Sequence, residues 1–183
     1  MKIDMKEEQE IPQGINITVD AVGLFTVKGP KGEIKRKLFN PRIKARVSGV
    51  TLIFESKNAT QREKKMIKSY LAHIRGMFDG VQHGHVYKLK VCASHFPMTA
   101  NIKGSLFEVK NFIGESVPRT IPVPAGVNVK VDGQIIVVDG IDKELVGRTA
   151  ARIEQITRRP GFDKRIFQDG IYLIEKDGKP LKA

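Results

Sequence analysis

The residues best equipped to do chemistry lie near the C-terminal end, where Arg158, Arg159, Lys164 and Arg165 are interleaved with Phe162, Phe167 and Tyr172 around Pro160, Gly161 and Gly170. Guanidinium and ammonium groups neutralise phosphates, and aromatic rings stack on unpaired bases, so this mixture in a loop suits an irregular RNA surface. The four cations would act on the backbone, and Phe162 or Phe167 on a base or sugar face. The competing reading is a basic surface loop whose rings tuck back into the core.

Other constellations carry less. His83, His85, Cys92 and His95 lie close together, but His-x-His followed by Cys-x-x-His departs from the tight ligand pairs of structural zinc sites, and no metal or cofactor is expected. The chain has no glycine loop ending in Gly-Lys-Ser/Thr, no nucleophile elbow and no His-Glu-x-x-His. Glu115, Asp139, Asp142 and Asp169 read as caps and turn formers, so no catalytic residue is assigned and an enzyme is not expected. Gly29-Pro30-Lys31-Gly32 resembles a backbone-clamping loop, but that loop needs helices on both sides. Here residues 22–28 and 33–39 read as strands, which makes it a basic β-turn.

The whole chain is cationic: 32 Lys and Arg against 20 Asp and Glu give a net charge of +12 over 183 residues. Both halves share the excess, which favours an anionic partner and excludes a detachable basic tail as its source. The single cysteine, Cys92, excludes an intrachain disulfide and suits a reducing compartment. No apolar run is long enough to span a bilayer, and residues 1–10 lack the apolar core of a leader peptide. The expectation is a soluble intracellular protein, with residues 1–10 a frayed polar lead-in.

The elements that must position these residues read as a duplication. Residues 11–20 (IPQGINITVD) and 123–132 (VPAGVNVKVD) share proline, glycine, asparagine and aspartate, with alternating aliphatics between them, the pattern of a half-buried strand. Each is followed by a second apolar run, and Asp132-Gly133 is a tight-hairpin dipeptide. Residues 42–47 and 50–55 form a further hairpin, and residues 105–112 and 117–123 further strands. A helix starts after Thr60, capped by a Thr60/Glu63 box and carrying Ile67, Leu71, Ile74 and Met77 on one face. Its other face, with Arg62, Lys64, Lys65, Lys68 and Arg75, reads as solvated. A second helix follows Asp142, with Val146, Ala150, Ile153 and Ile156, and stops before Arg159-Pro160-Gly161. The fold class is therefore α+β: two tandem copies of a small antiparallel β-sheet packed by one α-helix, in residues 1–80 and 81–183.

Several short stretches, spread in order over the chain, resemble one family closely. They are Val27-Lys28-Gly29-Pro30-Lys31-Gly32, then Gly80-Val81 with Gly84, Tyr87-Lys88 and Ser94-His95-Phe96-Pro97, then Asn111-Phe112-Ile113-Gly114-Glu115, and Asp169-Gly170-Ile171-Tyr172. The family is that of the universal large-subunit ribosomal protein six, in its archaeal and eukaryotic form. The resemblance implies a structural constituent of the large ribosomal subunit, in the cytoplasm, that binds large-subunit ribosomal RNA near the sarcin-ricin region where translational GTPases dock. It further implies neighbouring ribosomal proteins as partners, no membrane and no homo-oligomer. The segment ending at Asp169 to Tyr172 would lie on RNA, and Arg119, in a loop after Asn111 to Glu115, could touch it too. The alternative from another class is a basic α+β adaptor for an acidic protein partner.

Overall fold

Short runs of alternating apolar and polar residues, many of them followed by a glycine or asparagine that can turn the chain, make this a protein of hairpins. The computed structural model describes residues 3–163 and 165–181. It divides into two compact units, Met1–Gly84 and His85–Ala183. Gly80, where the sequence suggested the boundary, lies inside a helix.

The first unit runs β1 (Ile3–Glu10), β2 (Asn16–Val19), β3 (Leu24–Gly29), β4 (Gly32–Lys37), β5 (Lys44–Ser48), β6 (Thr51–Ala59) and α1 (Gln61–Gln82). Its strands form two antiparallel sheets, ordered β1-β6-β5 and β2-β3-β4. Phe25 of one and Phe54 of the other stack at 5.8 Å between ring centroids. Ile67, Leu71, Ile74 and Met77 of α1 are all buried, as their spacing predicts. The glycine of the Gly-Pro-Lys-Gly turn is required by packing: a Cβ on Gly29 would stand 2.7 Å from Val81 of α1.

Residues 3–10 correct the expected frayed lead-in. They form β1 and pair with β6 from Ile3↔Ala59 to Glu10↔Thr51. Backbone hydrogen bonds along a nine-residue partner strand hold them, so a polar sequence can take the position and cover what would otherwise be an open edge.

The second unit runs β7 (His85–Cys92), β8 (Thr99–Lys103), β9 (Leu106–Lys110), a 3-10 turn (Phe112–Gly114), β10 (Arg119–Pro122), β11 (Val127–Asp132), β12 (Ile135–Gly140), α2 (Lys143–Ile156), β13 (Gly170–Lys176) and β14 (Lys179–Pro180). One sheet is ordered β10-β9-β8 and the other β11-β12-β7-β13-β14. The Asp132-Gly133 hairpin forms as expected, with Gly133 at φ +56°. Val146, Ala150 and Ile153 of α2 join Leu89, Phe107, Ile136 and Val138 of the strands in one fully enclosed core.

The duplication is real, but its register differs from the one the 11–20 and 123–132 match suggests. β2 belongs to the β2-β3-β4 sheet, whereas β11 pairs with β12 beside β7. The equivalent orders are β1-β6-β5 with β7-β12-β11, and β2-β3-β4 with β8-β9-β10. The sequence carries this register in Leu24-Phe25-Thr26-Val27-Lys28 and Leu106-Phe107-Glu108-Val109-Lys110. Both phenylalanines and both valines there are buried. Pro-x-Gly followed by alternating aliphatics can introduce any half-buried strand, so it matched two that are not equivalent.

Candidate nucleic-acid interface

The basic, ring-bearing segment is a loop pinned at both ends. α2 stops at Ile156, and Thr157 caps it by donating from Oγ1 to the Glu154 carbonyl at 3.1 Å. The same oxygen accepts the Ile171 amide at 2.9 Å, which ties the start of β13 to the end of α2. At the loop's far end the carboxylate of Asp169 is buried and accepts from the amides of Ser94 and His95, the latter at 3.0 Å. Its other oxygen meets Nδ1 of His95 at 2.6 Å. Burial alone would raise the Asp169 pKa, but the hydrogen bonds from His95 and Ser94 outweigh it and hold the group below its ordinary value.

From this anchor a row of rings leads outward. His95 lies 5.1 Å from Phe167, and Phe167 meets Phe162 edge-on at 4.9 Å. The Arg159 guanidinium sits over the Phe162 ring at 4.3 Å. Beside the row opens a cleft of about 300 Å³. Buried Phe112 and Ile171 form its base, and Glu154, Gln155, Arg158, Arg159, Phe162, Phe167 and Tyr172 its walls. Ile113 also lines it and holds a left-handed backbone at φ +49°, which costs a β-branched residue roughly 1–2 kcal/mol.

Of the residues singled out from sequence, Arg158, Arg159, Phe162 and Phe167 come together at this cleft. Arg165 points into solvent but holds Asp163 through Nη2 at 2.7 Å and Nε at 3.1 Å, so its charge is partly answered, and it lowers the Asp163 pKa. Lys164 lies outside the described residues. Tyr172 is on β13 rather than in the loop, and burial, then the nearby Cys92, Asp169 and Glu154 groups, push its phenol up.

Arg119 is not in a loop: it opens β10, half-buried, with its guanidinium engaged inside the protein. It donates to both oxygens of Glu115 at 2.7 and 2.6 Å and to the Ile156 carbonyl at 2.5 Å. Its guanidinium also lies over the Phe112 ring at 4.5 Å. Hydrogen bonds from Arg119, with the charges of Arg119 and Arg159 adding to them, hold Glu115 below the ordinary carboxylate range. Arg119 therefore caps the C-terminus of α2.

The four candidate metal ligands are dispersed in use, with His83 at the C-cap of α1. His85 is buried against Asp177 at 3.0 Å, His95 faces Asp169, and Cys92 is half-buried on β7. Among the described residues no group of three His, Cys, Asp or Glu side chains is gathered for a metal ion, and no helix is long and apolar enough to cross a membrane. Sequence reasoning missed Phe112, Ile113, Glu154 and Gln155 as cleft residues, and took Asp169 for a turn former. Aligning the two Leu-Phe-x-Val-Lys stretches would have marked the turn that carries Phe112 and Ile113, because there the copies diverge from Gly-Pro-Lys-Gly to Asn-Phe-Ile-Gly.

The family model described as Ribosomal protein L6 matches this chain twice, over residues 11–84 and 96–170. The large ribosomal subunit protein uL6 of Methanococcus vannielii is 42% identical over 177 residues, 97% of each chain. That of Methanosarcina mazei is 39% identical over 167 residues, covering 91% of this chain and 94% of the relative. The two matched blocks begin shortly before β2 and β8, in keeping with the register the sheets show.

Proposed function

This chain belongs to the ribosomal protein L6 family, and from that premise we propose that it is a structural, non-enzymatic constituent of the cytoplasmic large ribosomal subunit that grips large-subunit ribosomal RNA with the end of its second unit. The observation that carries this reading is the meeting of Arg158, Arg159 and the exposed ring of Phe162 around one cleft. Among the described residues no carboxylate forms a salt bridge with either arginine, and Glu115, whose pKa the charge of Arg159 helps to lower, is already held by Arg119, so both cations remain available to phosphate. Phosphate neutralisation supplies most of the affinity and makes it fall with salt. Arg165 contributes less, because Asp163 already faces it. The finer placement, beside the sarcin-ricin region and the docking surface of translational GTPases, with other ribosomal proteins alongside, belongs to the same proposal.

The test is binding of the full chain to large-subunit ribosomal RNA over a range of salt. Alanine at Arg158 and at Arg159 is expected to flatten the log–log salt dependence by roughly 0.7–0.9 for each phosphate no longer neutralised. Arg165→Ala should flatten it less. Unchanged affinity and slope in the Arg158/Arg159 double variant, or equal binding to an acidic polypeptide such as polyglutamate, would sink the reading. Protection of the sarcin-ricin region from chemical probes by bound protein tests the finer placement.

A further inference from the structure

We propose that the cleft beside Phe162 holds one unstacked nucleobase, with Glu154 reading its amino-bearing edge and Arg158 and Arg159 holding the adjoining phosphate. The inference rests on the RNA-binding reading above and deepens it, naming what occupies the site.

Size is the first argument. About 300 Å³ lies at the lower end of the roughly 300–1,000 Å³ of small-molecule pockets, enough for one base and too small for a duplex edge. Wall chemistry is the second. Phe162 and Tyr172 remain partly exposed, at 38% and 36%, although both are large and apolar-bodied, and both line the cleft, where a ring can stack on a base. Tyr172 folds over Gly170, where an added Cβ would stand 3.3 Å from its ring, so this wall is fixed by packing.

The third argument is the distribution of charge. Around the cleft Glu115 is answered by Arg119, Asp163 by Arg165 and Asp169 by His95. Glu154 lines the cleft, and among the described residues its carboxylate has no hydrogen-bond or ion-pair partner; the Gln155 amide and the Tyr172 phenol are equally unused. An unanswered carboxylate beside a phosphate-binding arginine pair repels a polyanion, unless a donor edge faces it. Guanine offers N1–H and N2–H side by side, and adenine and cytosine an exocyclic amine, whereas uracil has no amine. The geometry therefore selects an amino-bearing base, guanine foremost.

The experiment titrates the full chain with guanosine, adenosine, cytidine and uridine 5′-monophosphates and with ribose 5-phosphate, following side-chain signals by NMR. Ribose 5-phosphate should move the Arg158 and Arg159 signals alone. Guanosine monophosphate should also move the Phe162 and Tyr172 rings and bind several-fold tighter than the uridine compound. Glu154→Gln should erase that gap, and Phe162→Ala should weaken all four nucleotides by roughly 5- to 100-fold. An unchanged amide spectrum for the rest of the second unit shows that either variant is folded. Ring signals that never move, or equal affinity for guanosine monophosphate and ribose 5-phosphate, overturn the base site; a gap that survives Glu154→Gln overturns the role of Glu154. If these fail while the chain still binds ribosomal RNA with its salt dependence intact, only this inference falls. Loss of that binding too would take the broader reading with it.

Discussion

The two units share six strands and a helix in the same order, and they differ at the two places that shape the cleft of the second one. After Leu-Phe-x-Val-Lys the first unit turns at once through Gly-Pro-Lys-Gly, while the second winds through Asn111 and Ile113, both at positive φ, and buries Phe112. α1 runs 22 residues, but α2 stops after 14. In the first unit the extra helix reaches the turn: the Lys31 ammonium donates to the His83 carbonyl at the C-cap of α1, and the Lys31 amide bonds the Val81 carbonyl at 3.0 Å. In the second, Arg119 does the equivalent work at Ile156, and the loop of arginines and rings follows. On a shared framework, the second unit thus has the shorter helix and the longer turn. The basic face of α1 shows the contrast, since Lys68 faces Glu7 and Arg75 bonds Gln9 of β1.

The largest expected effect comes from a group the first unit lacks. Asp169→Ala leaves the Ser94 and His95 amides and the His95 ring without their acceptor, which should destabilise the second unit by roughly 3 kcal/mol. Asp169→Asn, which can still accept from the amides, should lose less. Hydrogen exchange read unit by unit checks this: faster exchange in β7 and β13 with the first unit unmoved supports it, while uniform change across both units would mean that Asp169 is not a local anchor.

The sequence made local features legible and hid those made by distant partners. The capping box of α1, the Asp142 cap of α2, the hairpin at Gly133 and the buried stripe of each helix all follow from spacing within a turn or two. β1 was hidden because its stabilisation is a backbone ladder to a strand some fifty residues away. β13 was obscured by the aromatic and basic residues before it; Tyr172 looked like part of their loop, though Ile171 beside it is buried against the core. The arginines and rings of the site declared themselves by composition. Asp169 and Arg119 did not, because what each does depends on partners that only folding supplies: His95 for one, and the Ile156 carbonyl and Phe112 for the other.

A paired substitution sharpens the comparison of the two helix ends. Arg119→Met removes a bidentate pair, a cap on the Ile156 carbonyl and the cation over Phe112, and should cost the second unit roughly 2 kcal/mol. Lys31→Met removes one exposed cap and should cost the first unit only about 0.3–1 kcal/mol. Chemical denaturation followed with a probe in each unit separates them. Arg119→Met should also weaken RNA binding without flattening its salt dependence, since it shifts the cleft and leaves the phosphate-binding cations in place. Equal costs at the two sites would break the contrast between the two helix ends.

The smallest effect concerns the helix starts, where the first unit carries the more elaborate device. Thr60 and Glu63 close a capping box on α1, with the Thr60 amide 2.8 Å from Glu63, whereas the third residue of α2 is Leu145 and Asp142 caps alone through the Glu144 amide at 2.8 Å. Hydrogen bonds from the Thr60 hydroxyl and amide, more than the charge of Arg42, lower the Glu63 pKa from 4.5 to about 2. A carboxyl whose pKa is depressed by folding stabilises fully above its unfolded value and loses that contribution as pH falls through the folded one. The first unit should therefore lose stability between about pH 4.5 and pH 2 on this account, and Glu63→Gln should flatten that part of its acid titration while leaving the second unit's unchanged. An identical acid profile in the variant would show that the box holds α1 by geometry alone, with the charge of Glu63 adding nothing to it.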